Sequence, residues 1–245
     1  MAEILHFTRA DGIKLAYRLV DGAGPLLVFL PGYMSDMAGG KATAMLDWAA
    51  ANGRACLLLD YAGCGLSEGD FADQTLTGWR DDVLAMLEAL SDRPVVLVGS
   101  SMGGWLMLMI GEALGDRLAG LVGIAPAPDF TQWGFSETRR ATLIANGVVY
   151  EDNPYGPDPT PTWRDLFESG EANLMLDRII AIDCPVRLLH GQADADVPWK
   201  ISLKLAAALR SSDVRVMLIK DGDHRLSRAQ DVALLLATVA EVACG

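Results

Sequence analysis

Histidine is scarce in this 245-residue sequence: His6, His190 and His224 are all it has. Any imidazole base must be one of these three. Cysteine is nearly as rare. Cys56, Cys64, Cys184 and Cys244 form no C-x-x-C pair, and none stands at metal-ligand spacing from a histidine. H-E-x-x-H is absent as well, so no motif points to a metal. Cys56 and Cys184 lie in or beside apolar runs and are expected to be buried thiols, whereas Cys64 sits in a glycine turn that leaves room for exposure. Basic charge is in deficit, with 20 Lys and Arg against 32 Asp and Glu and a net charge of −12. Nucleic acid and anionic membrane both need a basic surface, so neither is expected as a partner. No apolar run approaches the ~20 residues of a membrane span. The opening Met-Ala-Glu-Ile-Leu-His-Phe-Thr-Arg carries no basic segment followed by an apolar one, as a secretory leader would. These absences together predict a protein of a reducing compartment, placed in the cytoplasm.

What is present is a large apolar fraction, 51% of residues. A chain of this length can bury roughly 70–75% of its unfolded surface in one α/β domain, taken here as residues 1–245. Residues 3–20 alternate about Asp11-Gly12, which predicts a hairpin of two antiparallel edge strands, Ile4–Thr8 and Lys14–Leu19. Asp21–Pro25 reads as a loop. From Leu26 onward short apolar strands (Leu26–Leu30, Ala55–Leu59, Val95–Val98, Leu118–Ala125, Val186–Leu189, Val214–Ile219) alternate with helical stretches. Helices are expected at 41–51, closed by Asn52-Gly53, at 77–90, after Val98, at 199–210 and at 227–242. This rhythm predicts a mostly parallel sheet with helices on both faces and right-handed crossovers.

Residues 126–180 break the rhythm. They hold Trp133, Phe135, Tyr150, Tyr155, Trp163 and Phe167, with a proline cluster over Asn153–Pro161. The stretch is too long for a plain crossover and too aromatic for a linker. It reads as an inserted lid with short helices; an irregular helical crossover without substrate contact is the alternative.

The chemistry centres on Gly99-Ser-Ser-Met-Gly103, set between the apolar strand Val95–Val98 and an apolar helical stretch. Strand, tight turn and helix is the context G-x-S-x-G requires to present a strained, exposed serine hydroxyl. Gly99 and Gly103 fit, because strand and helix approach closely only where bulk is missing. Centring the motif on Ser100 would put Val98 and Met102 in the glycine positions, so the nucleophile is Ser101. Without its surroundings the stretch is a Gly/Ser turn ending a buried strand.

A serine needs a base and an oxyanion site. His6 falls on the edge hairpin and reads as a surface residue. His190 and His224 both follow strands, where functional residues of open α/β sheets collect. Chain order Ser, then Asp or Glu, then His selects His224 as base and Asp194 as acid, and leaves His190 to order the loop that holds Asp194. Asp196, two residues on, is the alternative acid. Asp221 and Asp223 are too near His224 in sequence to meet its ring at the needed angle. The oxyanion amides are assigned to Met102, after the nucleophile, and to Tyr33 in the Pro31-Gly32-Tyr33 loop, each worth about 3–4 kcal/mol of transition-state stabilisation. The glycines of Asp60–Ser67 lack both G-x-G-x-x-G and a Walker lysine, so this stretch reads as a structural turn beside the site. No cofactor is expected.

These residues resemble a family. Leu30-Pro-Gly-Tyr-Met-Ser35, Asp60–Ser67, Trp79-Arg-Asp-Asp-Val83, Val98-Gly-Ser-Ser-Met-Gly-Gly-Trp-Leu-Met107, Cys184–Gly191 with Val197-Pro-Trp199, and Asp223-His-Arg225 are similar to the α/β-hydrolase superfamily. More narrowly, they resemble its mitochondrial palmitoyl-protein thioesterase and acyl-glucuronide esterase subgroup and the bacterial relatives of that subgroup. The resemblance spans nearly the whole chain and is weakest in the lid. It implies an α/β-hydrolase fold, Ser101, Asp194 and His224 as triad, and a small-molecule or acylated-protein ester or thioester as substrate. The function expected is therefore that of a serine esterase or thioesterase. A non-catalytic ligand-binding protein of the same fold, or a triad enzyme performing C–C hydrolysis or perhydrolysis, is the alternative.

Overall fold

The apolar runs become strands because they are short, rich in Val and Leu, and apolar on both sides of the backbone. The computed structural model describes residues 2–153 and 156–244. The chain opens with β1 (Leu5–Thr8), β2 (Lys14–Val20), β3 (Ala23–Leu30), α1 (Gly40–Ala51) and β4 (Arg54–Leu59). It continues through α2 (Leu76–Leu90), β5 (Val95–Ser100), α3 (Met102–Leu114) and β6 (Leu118–Ile124). A departure from the sheet holds α4 (Phe130–Trp133), α5 (Glu137–Asn146), β7 (Val148–Glu151), β8 (Thr160–Trp163) and α6 (Arg164–Glu171). The sheet resumes with β9 (Val186–Gly191), α7 (Lys200–Ala208), β10 (Val214–Ile219) and α8 (Ala229–Cys244).

Eight strands form one sheet in the order β1-β2-β4-β3-β5-β6-β9-β10. From β4 to β10 every neighbouring pair is parallel; β2 runs antiparallel to both β1 and β4. The expected hairpin and parallel sheet are both present. Strand β3 starts at Ala23, inside the stretch read as a loop. Ala23 N–H donates to Gly53 O at 2.8 Å, and the register then shifts before Leu27 pairs with Cys56.

Side chains alternate between two cores. Leu26, Val28 and Leu30 face Trp79 and Val83 of α2 and Trp105 of α3, whereas Leu27 and Phe29 face Met45 and Leu46 of α1 and Leu235 of α8. Helices therefore cover both faces, as the rhythm of the sequence predicts. Helix α3 is buried from Met102 through Gly111, so it lies inside the fold rather than on it.

Residues 126–180 hold the expected short helices and also an antiparallel hairpin, β7–β8, in which Tyr150 pairs with Pro161. A two-stranded sheet has only edge strands, and proline is tolerated there. Pro154 of the proline cluster and Tyr155 of the lid aromatics lie outside the described residues. Two cysteine expectations are corrected: Cys64 is buried and Cys184 is only half-buried. The turn holding Cys64 folds inward because Asp60 gathers it, as described below. Among the described residues no helix is long and apolar enough to cross a membrane.

Candidate active site

Ser101 stands between β5 and α3 with φ 54° and ψ −120°, a conformation side chains rarely adopt. The close approach behind it explains the glycines. A Cβ on Gly103 would meet Leu30 O at 2.1 Å and Pro31 O at 2.5 Å, and one on Gly99 would meet Gly103 O at 2.4 Å. Three backbone bonds fix the turn: Ser101 N–H donates to Ile124 O at 2.9 Å, and Ser101 O accepts from Gly104 N–H at 2.8 Å and Ala127 N–H at 3.0 Å.

His224 follows β10 and Asp194 follows β9, so adjacent parallel strands deliver both to the end of the sheet where β5 delivers Ser101. His224 Nε2 lies 3.1 Å from Ser101 Oγ, and its Nδ1 lies 2.8 Å from Asp194 Oδ2. The Asp194 side chain is buried and that of His224 nearly so. All four acceptor directions of Asp194 are used. Oδ1 accepts from the amides of Asp196 at 2.9 Å and Val197 at 2.8 Å, and Oδ2 is shared by His224 and His190. Burial pushes the Asp194 carboxyl up, but the hydrogen bonds from His190 and His224 outweigh it and hold the group well below the usual carboxylate range.

The other residues read from the sequence separate clearly. His190 is fully buried and touches Asp194, not Ser101. His6 is exposed on β1. Asp196 is exposed and takes its place through its backbone amide on Asp194. Asp221 pairs with Arg228 at 3.4 Å, and Asp223 accepts from Leu226 N–H at 2.9 Å. Asp194, Asp196 and His224 each bring one ligand atom within 4.8 Å of the others. Four groups already surround the two Asp194 carboxylate oxygens: the amides of Asp196 and Val197 and the rings of His190 and His224.

Tyr33 and Met102 border one cavity of about 870 Å³ together with Ser101 and His224. Among the described residues, neither the Tyr33 nor the Met102 amide donates to a protein acceptor. Phe130, Trp133 and Phe135 border the same cavity, and Arg139 and Glu151 form an ion pair in its wall.

Sequence reasoning missed three anchors. Asp60, buried at the end of β4, accepts from Met37 N–H at 2.7 Å and Leu66 N–H at 2.9 Å, tying the loop after β3 to the glycine turn. Asp129, buried with φ 56°, accepts from the amides of Met175 at 2.9 Å and Leu176 at 2.8 Å and pins the end of segment 126–180 to its start. The Tyr33 hydroxyl donates to Pro161 O at 2.7 Å. The only sequence signal for the first two was an aspartate at the end of an apolar run.

A mostly parallel sheet that presents a strained serine after β5, an aspartate after β9 and a histidine after β10 defines the α/β-hydrolase class. The chain belongs to the alpha/beta hydrolase family, whose sequence profile matches residues 27–238. Human palmitoyl-protein thioesterase ABHD10, mitochondrial, is 37% identical over 94% of this chain and 77% of its own length. A putative hydrolase from Agrobacterium vitis S4 superposes with a TM-score of 0.93 at 38% identity, covering 99% of both chains. Alpha/beta hydrolase domain-containing protein 10 from mouse superposes with a TM-score of 0.92 at 35% identity, covering 98% of both. These relatives overturn the cytoplasmic expectation, because the ABHD10 proteins are named mitochondrial. That expectation leans on the first nine residues and the cysteines alone.

Proposed function

We propose that the chain is a serine hydrolase of acyl esters and thioesters. Ser101 is the nucleophile, His224 the proton carrier and Asp194 the residue that holds the imidazole. The observation carrying this reading is the continuous pair of hydrogen bonds from Ser101 Oγ through both nitrogens of His224 to Asp194 Oδ2. Ser101 Oγ attacks the acyl carbonyl carbon while its proton passes to His224 Nε2. The tetrahedral intermediate collapses as that proton moves to the departing oxygen or sulfur. Water then repeats the sequence on the acyl-enzyme, with no cofactor. Asp194 keeps the proton on Nδ1 and stabilises the imidazolium without taking the proton itself.

The amides of Tyr33 and Met102 receive the oxyanion. Their place on the cavity wall and their lack of a protein acceptor among the described residues support that role. Residues 126–180 serve as a lid on a single domain, 1–245, since Ala127, Phe130, Phe135, Glu151 and Thr162 border the cavity over Ser101. Kinship with proteins named thioesterases supports the acyl substrate class, and the aromatic wall gives an acyl chain an apolar surface. Labelling by a fluorophosphonate, followed by hydrolysis of p-nitrophenyl esters and acyl-thioesters of increasing chain length, tests the reading. Wild type is expected to label and turn over and Ser101→Ala to do neither; equal labelling of both would sink the assignment.

A further inference from the structure

We infer that His190 is a positioning residue for the acid of the site: a second imidazole, of opposite tautomer to His224, on the same carboxylate oxygen. The inference rests on the reading of Asp194 and His224 given above. Asp194 Oδ2 lies 2.8 Å from His224 Nδ1 and 3.1 Å from His190 Nε2. His190 Nε2 also lies 3.1 Å from Val197 O. Two acceptors and no donor face that nitrogen, so it must carry a proton. The other ring nitrogen, Nδ1, meets Ser202 Oγ at 2.7 Å. In the neutral ring the Ser202 hydroxyl donates to it. The opposite tautomer would turn a bare nitrogen lone pair onto a carboxylate and a carbonyl. His224 needs the reverse arrangement, with the proton on Nδ1 toward Asp194 and a bare Nε2 toward Ser101.

The burial of the pair shows what the imidazole adds. His190 and Ser202 are both fully buried, and β9 is apolar at Leu188 and Leu189 just before. A leucine would bury here without a polar ring to satisfy. What a leucine lacks is a donor reaching Asp194. The loop amides of Asp196 and Val197 hold Oδ1, and among the described residues His190 is the one further group holding Oδ2 besides His224 itself. With His190 in place the carboxylate is aimed by groups other than His224 itself and stays ionised while the imidazolium forms. Ser202, from α7, fixes the ring that fixes the acid.

Histidine-selective ¹⁵N NMR of the full chain tests this directly, because only three histidines give signals. The expected result is a proton on Nε2 of His190 and, in the resting enzyme, a proton on Nδ1 of His224. A proton on Nδ1 of His190 with Nε2 bare overturns the proposal, and this measurement needs no variant to fold. Two variants add the kinetic arm. His190→Leu should lower kcat about 10- to 100-fold with KM little changed, the loss expected for one hydrogen bond to a charged group. His190→Gln, whose side-chain amide restores a donor, should recover most of that loss. Equal losses in the two variants, or a wild-type kcat in His190→Leu, overturn it. Failure of the triad reading appears elsewhere, as turnover or labelling retained in Ser101→Ala, and leaves the His190 tautomer readable.

Discussion

The Tyr33 hydroxyl donates to the Pro161 carbonyl at 2.7 Å, joining the loop after β3 to the β7–β8 hairpin across 128 residues. Tyr33 also packs on Phe71 and Trp79, with ring centroids 5.2 and 6.2 Å away. The side chain thus holds the very residue whose amide is assigned to the oxyanion. Burial pushes the Tyr33 phenol well above its ordinary range, so it remains a donor at every working pH.

Tyr33→Phe keeps the amide and the ring packing and removes only the tether. One neutral hydrogen bond is worth about 0.5–1.5 kcal/mol. If the hairpin steadies the oxyanion amide, kcat falls about 2- to 10-fold with the melting temperature little changed. Steady-state kinetics on a p-nitrophenyl ester checks it. An unchanged kcat would mean that the hairpin holds the ring and not the amide.

At the elbow, Gly103→Ala should abolish activity and cost several kcal/mol. The new Cβ would stand 2.1 Å from Leu30 O and 2.5 Å from Pro31 O, both backbone atoms that cannot move alone. Gly40→Ala is the control. A Cβ there meets nothing within 4 Å, and the residue opens α1, so alanine should be neutral or stabilise by up to about 1 kcal/mol. Urea unfolding of both variants decides whether the glycine requirement is local to the elbow.

Asp60 ties the loop after β3 to the glycine turn through a buried acceptor bond from Met37 N–H and a half-buried one from Leu66 N–H. Asp60→Ala strands the buried amide of Met37, at about 1–3 kcal/mol for a donor left buried and unpaired, and frees the half-buried amide of Leu66 to water at a smaller cost. Asp60→Asn retains an acceptor oxygen and should cost less. Since Tyr33 shares that loop, activity in Asp60→Ala should fall further than the loss of stability explains. Comparing kcat with unfolding free energy across wild type, Asn and Ala measures this.

Much of this arrangement was legible because it is local or ordered along the chain. Val95–Val98, the glycines of the elbow and the succession Ser101, Asp194, His224 each stand as short patterns, and strand and helix bounds fall within a few residues of the expected ones. Contacts made at a distance were not legible. Asp60 looks like a turn aspartate until Met37, 23 residues earlier, donates to it. Cys64 looks like a turn cysteine until that same carboxylate gathers residues 60–66 inward. The β7–β8 hairpin was hidden because its strands are four residues long and one contains Pro161, which lowers strand preference in any single-sequence reading. Tyr33 could be chosen for its amide from its place after a strand, but no spacing in sequence links its hydroxyl to Pro161.

Asp194 gives the pH dependence its sign. Its carboxyl is held well below the usual range in the fold, burial being outweighed by the bonds from His190 and His224, whereas in the unfolded chain it titrates near ~3.9. Between those two values the unfolded chain binds a proton that the folded one refuses, so stability rises with pH through that window. The contribution is therefore complete above about pH 5 and is lost as pH falls below about 4 toward the folded value. Asp194→Asn removes the titration. The difference in unfolding free energy between wild type and Asp194→Asn should be level from about pH 5 to 7 and shrink steadily toward about pH 3. A difference that stays constant over that whole range would show that ionisation of Asp194 is not what the two histidines stabilise. The same variant should lose about 10³- to 10⁴-fold in kcat at neutral pH, because an amide cannot hold His224 with its proton on Nδ1.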